Sequence, residues 1–203
     1  MQNLLKSLSI TGACALLAGC GGGSGDLGSL ASYDEVSTAA SAMATANSFD
    51  AALGEFTVAT RADISGQVTA TDAHYEGFIT DDLGDTSLVG ETEMTVNFDL
   101  ASVTGSATNF YHETDGAYTG TLTLVGGAIK TGATASEPDT LDGTFTGSLI
   151  NAAVNYDTDI AISGEFTGGT GATTPTAVGG TADGYVGVGD DSSFIGSFIS
   201  ELQ

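Results

Sequence analysis

No tryptophan occurs in this chain, and its 203 residues hold only two cysteines, two prolines and three basic side chains. Each shortage excludes something. Cys14 and Cys20 both lie within the first twenty residues, so the rest of the chain has neither a disulfide framework nor thiol chemistry. Beyond Lys6 the only basic residues are Arg61 and Lys130, against 26 acidic side chains and a formal charge of −23. So one-signed a surface offers no basic patch to release counterions from a phosphate backbone, which argues against nucleic-acid binding. Past residue 20 no apolar run approaches the roughly 20 residues of a membrane-spanning helix. Pro138 and Pro175 fall between runs of alternating residues, where a missing N–H costs no ladder bond.

What is present starts at the first residue. A single Lys6 precedes an apolar run that ends in Leu17-Ala18-Gly19-Cys20, the form of a secretory signal with small residues before the cut. Leu17, Ala18, Gly19 and Cys20 resemble the lipobox of bacterial lipoproteins. That resemblance implies a signal peptide over 1–19, cleavage before Cys20, and a diacylglyceryl thioether with palmitate-type chains on its sulfur. More than one acyl chain makes a stable anchor, since each buried methylene contributes about 0.8 kcal/mol. Gly21 follows the cysteine, and nothing there resembles an inner-membrane retention signal. The expected location is the outer membrane, with display on the cell exterior open.

Three further segments follow. Residues 20–29 read as the lipidated cysteine and a flexible Gly/Ser tether. Residues 30–62 read as helical: Leu30, Tyr33, Val36, Ala40, Met43 and Ala44 recur at steps of three and four, an apolar stripe with a helical period. The stripe lacks the Lys/Arg face of a membrane-surface helix, so it is expected to pack on a sheet or close a barrel end. Residues 63–203 read as strands, with eight expected at 73–80, 88–98, 102–111, 117–126, 140–149, 157–167, 177–187 and 193–200. Clusters such as Asp81-Asp82-Leu83-Gly84-Asp85 and Thr114-Asp115-Gly116 punctuate them.

The glycines choose the architecture. They keep the parity of the apolar residues: Leu141, Gly143, Phe145, Gly147 and Leu149 in one strand, Ile160, Ile162, Gly164 and Phe166 in the next. A small closed barrel needs such a mixture of small and large interior residues, and a flat sandwich needs it less. The other parity carries Glu91, Glu93, Asp142, Asp159, Glu165 and Asp183. In a narrow lumen without cations these would be buried like charges, each costing several kcal/mol. They therefore face water. The expected fold is all-β: an eight-stranded antiparallel soluble β-barrel with an apolar interior and a short N-terminal helical segment.

At this point the chain resembles the β-barrel domain of the transferrin-binding protein B superfamily of surface lipoproteins. The lipobox, the glycine tether and the repeated Gly-x-apolar-x-Gly units carry the resemblance, with Tyr75-Glu76-Gly77-Phe78, Gly105-Ser106-Ala107-Thr108-Asn109-Phe110 and the closing Phe194-Ile195-Gly196-Ser197-Phe198. It covers about residues 64–203 and implies a lipid-anchored binding module. It carries over no ligand-contact residue, because the expected loops are short and acidic and there is one barrel without a handle domain.

Chemistry is sparse. His74 and His112 begin the first strand and end the third, which puts them at opposite ends of an up-and-down barrel. Asp81, Asp82 and Asp85 offer oxygen ligands but not the spaced calcium-loop pattern, and turn-forming aspartates explain them; Asp190 and Asp191 have less to offer. No G-x-S-x-G, triad or phosphate loop is present. The reading is a monomeric, non-enzymatic module without cofactor or metal, binding an unidentified protein or small solute. A structural envelope lipoprotein and a barrel for a small hydrophobic solute are the alternatives.

Overall fold

Period-two alternation from Ala73 onward produces strands that pair in sequence order. The computed structural model describes residues 30–57, 68, 70–84, 86–132, 138–168, 174–187 and 192–203. Helix α1 spans Tyr33–Ala46, followed by the short strands β1 (Phe49–Asp50) and β2 (Glu55–Phe56). The barrel strands are β3 (Ala73–Asp81), β4 (Leu88–Asn97), β5 (Ser102–His112), β6 (Gly116–Tyr118), β7 (Leu122–Lys130), β8 (Thr140–Asn151), β9 (Val154–Thr167), β10 (Ala177–Gly187) and β11 (Ser193–Leu202).

All pairings are antiparallel, and β11 returns to β3 in the register Phe198↔Ile79 and Leu202↔Tyr75. The first and last barrel strands thus meet, and the sheet closes as an eight-stranded barrel. The fourth staves of that barrel are β6 and β7 together, both paired with β5. The sequence suggests one continuous strand at 117–126. It breaks at Gly120, whose φ of +133° suits glycine, while Thr119 bridges to Ile150 of β8. β7 then runs past the expected end to Lys130, because Gly126 (φ +66°) turns what looks like a loop signal into a bulge between Val125 and Ala128.

The expected facing holds. Tyr75, Phe110, Phe145, Phe166, Phe194 and Phe198 point inward, none more than 1% exposed. Glu91, Glu93, Asp142, Asp159, Glu165 and Asp183 lie on the outer wall and none is buried. The inward glycines make room for neighbouring large side chains. A methyl group at Gly90 would lie 2.5 Å from the Phe110 ring, and one at Gly164 2.6 Å from that of Phe198. Gly77 has a different use. It stands between Thr92 and Ser200 in the cross-strand row, and its missing Cβ lets those two buried hydroxyls meet at 3.0 Å. A polar pair inside an apolar lumen is tolerable only when so satisfied.

The barrel ends are plugged by aromatic rings. At one end Phe98 and Tyr75 pack on Phe166, with centroid separations of 5.4 and 6.2 Å, and the Tyr75 hydroxyl donates to the Pro175 carbonyl at 2.8 Å. At the other, Tyr118 and Tyr156 pack at 5.3 Å.

Helix α1 is capped at its start by Ser32 and Glu35. Ser32 Oγ accepts from the Glu35 N–H, and Glu35 Oε2 accepts from the Ala31 N–H. Its Val36, Ala40, Met43 and Ala44 bury against Phe78, Val89 and Ile199 on the outside of the barrel wall. Residues 30–62 therefore do not stay helical throughout. After Ala46 the chain forms the β1–β2 hairpin, whose turn Asp50 Oδ1 caps by accepting from the Ala52 and Leu53 N–H groups. Phe49 of that hairpin lies against Gly179 on β10.

Candidate binding site on the outer wall

A barrel whose lumen is occupied by its own side chains leaves the outer wall and the rims for recognition. Among the described residues, clefts on that outer surface include three of note. One of about 180 Å³ lies beside the β1–β2 hairpin, with Leu53, Phe56 and Glu165 on its walls. A shallow one of about 360 Å³ lies on the face far from the helix, near Val125, Thr144 and Asp183. The third, about 90 Å³, follows the flank of α1 where the helix meets β3 and β11. This last one has apolar side chains of helix and wall along its length and polar groups at one end.

The floor of the α1 groove is built by a departure from alternation. Phe78, Val89 and Ile199 are large apolar residues at positions whose strand neighbours face water, and the helix covers them. At the groove's upper end stand Tyr33, Thr80, Asp81, Asp82 and Ser197. The two aspartates differ in availability. Asp81 Oδ1 accepts from the Gly84 and Ile195 N–H groups at 2.7 and 3.1 Å. Its Oδ2 accepts from the Thr86 and Ser87 N–H groups at 2.8 and 2.9 Å and from the Thr86 hydroxyl. That carboxylate is committed to its own loop.

Asp82 is not so committed. Its Oδ2 accepts from the Thr80 and Ser197 hydroxyls at 3.0 and 2.9 Å. Burial pushes its pKa up, the two hydroxyls oppose this, and the Asp81 charge adds to it. The Tyr33 phenol is also pushed up, by burial first and then by Glu113, Asp82, Asp34 and Asp81. The groove end thus gathers several carboxylates. Among the described residues the only Lys or Arg is Lys130, which pairs with Asp142 at 3.1 Å.

The sequence candidates fall as follows. Cys20, with Leu17, Ala18 and Gly19, lies outside the described residues, as do Asp85, Asp190 and Asp191. Asp81 organises a turn. His74 and His112 sit at opposite barrel ends, since β3 and β5 run in the same direction. His74 Nδ1 contacts the Thr95 hydroxyl at 3.1 Å. His112 Nδ1 accepts from the Thr114 and Asp115 N–H groups at 3.1 and 2.9 Å, so it caps the turn into β6. Beside it Tyr118 is pushed up to about 12, by burial first and then by Tyr156 and Asp115, and keeps its proton at neutral pH. Among the described residues no three His, Cys, Asp or Glu side chains converge as metal ligands, and no helix is long and apolar enough to cross a membrane.

Sequence reasoning alone does not assemble Tyr33, Asp82 and Ser197, which come from three distant elements. One signal for the groove is nonetheless present: Phe78, Val89 and Ile199 break the outward polar parity and mark the patch that something must cover. Comparison with protein families, with characterised proteins and with solved structures finds no match to this chain.

Proposed function

We propose that this chain is a lipid-anchored binding module of the outer membrane, held by acyl chains on Cys20, that recognises its ligand on the outer wall and rims of a filled barrel and performs no catalysis. The filled lumen carries this reading. With Tyr75, Phe110, Phe145, Phe166, Phe194 and Phe198 all buried inside, the interior has little to offer a hydrophobic solute, and that alternative loses support. The sequence resemblance to the transferrin-binding protein B barrel suggests a protein or a small solute as the ligand class.

The anchor is tested by growing cells with an alkynyl palmitate analogue. The chain should take up the label and partition with the outer membrane, and Cys20→Ala should lose both properties. Label or membrane retention in Cys20→Ala would remove the anchor from the proposal. Affinity capture from envelope and medium fractions tests recognition. A binding module returns one enriched species, whereas capture that returns nothing specific favours the purely structural envelope role.

A further inference from the structure

Exposed large apolar side chains are not spread evenly over the barrel. Leu83, Ile150, Val154 and Ile195 are all exposed, and all four stand at the end where β3 and β5 finish, β11 begins and β8 turns into β9. They form two feet. Leu83 and Ile195 belong to one, since the Leu83 N–H donates to the Ile195 carbonyl at 2.8 Å. Ile150 and Val154 flank the β8–β9 turn, and its tip residues Ala152 and Ala153 are exposed as well. That tip keeps methyl groups at two left-handed positions where the polar pair Asn-Gly is favoured. The opposite end shows one exposed large apolar side chain among the described residues, Leu100.

The N-terminal course of the chain says what meets these feet. Leu30 is fixed at the same end: Asn109 Nδ2 donates to its carbonyl at 2.9 Å and the Tyr111 hydroxyl at 3.4 Å, both from the last four residues of β5. Cys20 stands ten residues earlier. A Gly/Ser-rich linker of ten residues has a mean span of about 17 Å. The wall is taller, because the 11 residues of β5 at about 3.3 Å each, tilted by about 40°, rise roughly 28 Å. An acyl group on Cys20 therefore holds this end of the barrel, and not the other, near the bilayer. We infer that the rim made by Leu83, Ile195 and the Ile150–Val154 turn rests on the lipid surface, its apolar side chains in the headgroup layer. The inference rests on the reading of Cys20 as the acylated anchor. Once anchored, the rim meets lipid at high effective concentration, so a few side chains suffice. Asp82, Glu113 and Asp115 follow the ends of β3 and β5 at the same rim, which suits a zwitterionic surface and opposes an anionic one.

The test places the acylated full chain in phosphatidylcholine vesicles that carry nitroxide lipids. With Cys20 acylated and the signal removed no free thiol is left, so Ala153→Cys and Leu100→Cys each add one site for an environment-sensitive fluorophore. A blue shift and quenching are expected at 153, with quenching at least threefold that at 100. Leu83→Gln, Ile150→Thr and Ile195→Thr combined, all at exposed positions, should remove this contrast while the acyl group keeps the chain on the vesicle. Exchanging a third of the lipid for phosphatidylglycerol should lower it, and a rise would overturn the zwitterionic preference. Equal quenching at the two sites, or full contrast in the triple variant, overturns the rim. So does a blue shift at 153 that follows protein density and not nitroxide content, which would assign the tip to a second copy of the chain. A chain that takes up no palmitate label removes the anchor and this inference with it, whereas a labelled chain without contrast removes this inference alone.

Discussion

Asp81 and Asp82 are neighbours with opposite consequences for stability. Every donor that faces Asp81 is an N–H or O–H group, so an amide in its place must turn its own NH2 towards at least two of them, whichever way it flips. Asp81→Asn should therefore destabilise the barrel by about 2–3 kcal/mol, nearly as much as Asp81→Ala, because donors facing donors are left unsatisfied. Urea denaturation checks this, and a near-neutral Asp81→Asn would contradict the assigned network. At Asp82 the sign reverses. Burial holds its folded pKa above that of the unfolded chain, aided by the Asp81 charge. The folded protein then binds this proton more tightly than the unfolded chain does. The associated stability is present below the unfolded value of about 3.9 and is lost as pH rises through the folded one. Asp82→Asn removes that loss, since the amide oxygen still accepts from a hydroxyl. The variant should be at least as stable as the parent at pH 7, with any advantage shrinking as pH falls towards 4; a deficit confined to neutral pH would reverse the argument.

The β8–β9 hairpin separates what was legible in the chain from what was not. Its strands show in the alternation of Leu141, Gly143, Phe145, Gly147 and Leu149, and the same parity rule sorts carboxylates outward throughout the barrel. The turn does not show. Sequence places a loop across 150–156, because no Asn-Gly or Gly-Gly interrupts the run, yet Asn151 pairs directly with Val154. The intervening Ala152 and Ala153 both take positive φ, 48° and 65°. Two-residue hairpins require that geometry and favour Asn-Gly, and left-handed alanine costs about 1 kcal/mol or more per residue. Ala153→Gly should raise stability by about 1 kcal/mol, and Ala152→Asn should add a smaller gain, both read from denaturation midpoints; a loss in Ala153→Gly would exclude this turn. The Thr92–Ser200 pair was equally hidden, since it depends on three strands that the sequence separates and on Gly77 between them. The cover provided by α1 was half visible. Its apolar stripe and the parity breaks at Phe78, Val89 and Ile199 could be read separately, but only the fold brings them together.

At the scale of the whole molecule the governing fact is a large excess of negative charge. The chain carries −23 formal units, and closing the barrel puts carboxylates side by side. Glu76 lies between Glu93 and Glu201 in the strand register, and like charges directly opposite one another on paired strands are destabilising. The barrel tolerates this because its apolar interior and closed hydrogen-bond ladder supply the opposing free energy. Repulsion of this kind is screened by salt: the Debye length falls from about 30 Å at 0.01 M to about 8 Å at 0.15 M. The thermal midpoint should therefore rise over that range. Glu93→Lys localises the effect. It sets a cation opposite Glu76 on an exposed position, and should stabilise the barrel at low salt by up to about 1 kcal/mol. Its advantage over the parent should narrow as salt is added, since screening weakens the new attraction and the old repulsion together. Glu93→Gln should fall between the two. If the three proteins instead respond to salt in parallel, the row is not a site of repulsion, and the destabilisation is spread over the surface as net charge alone.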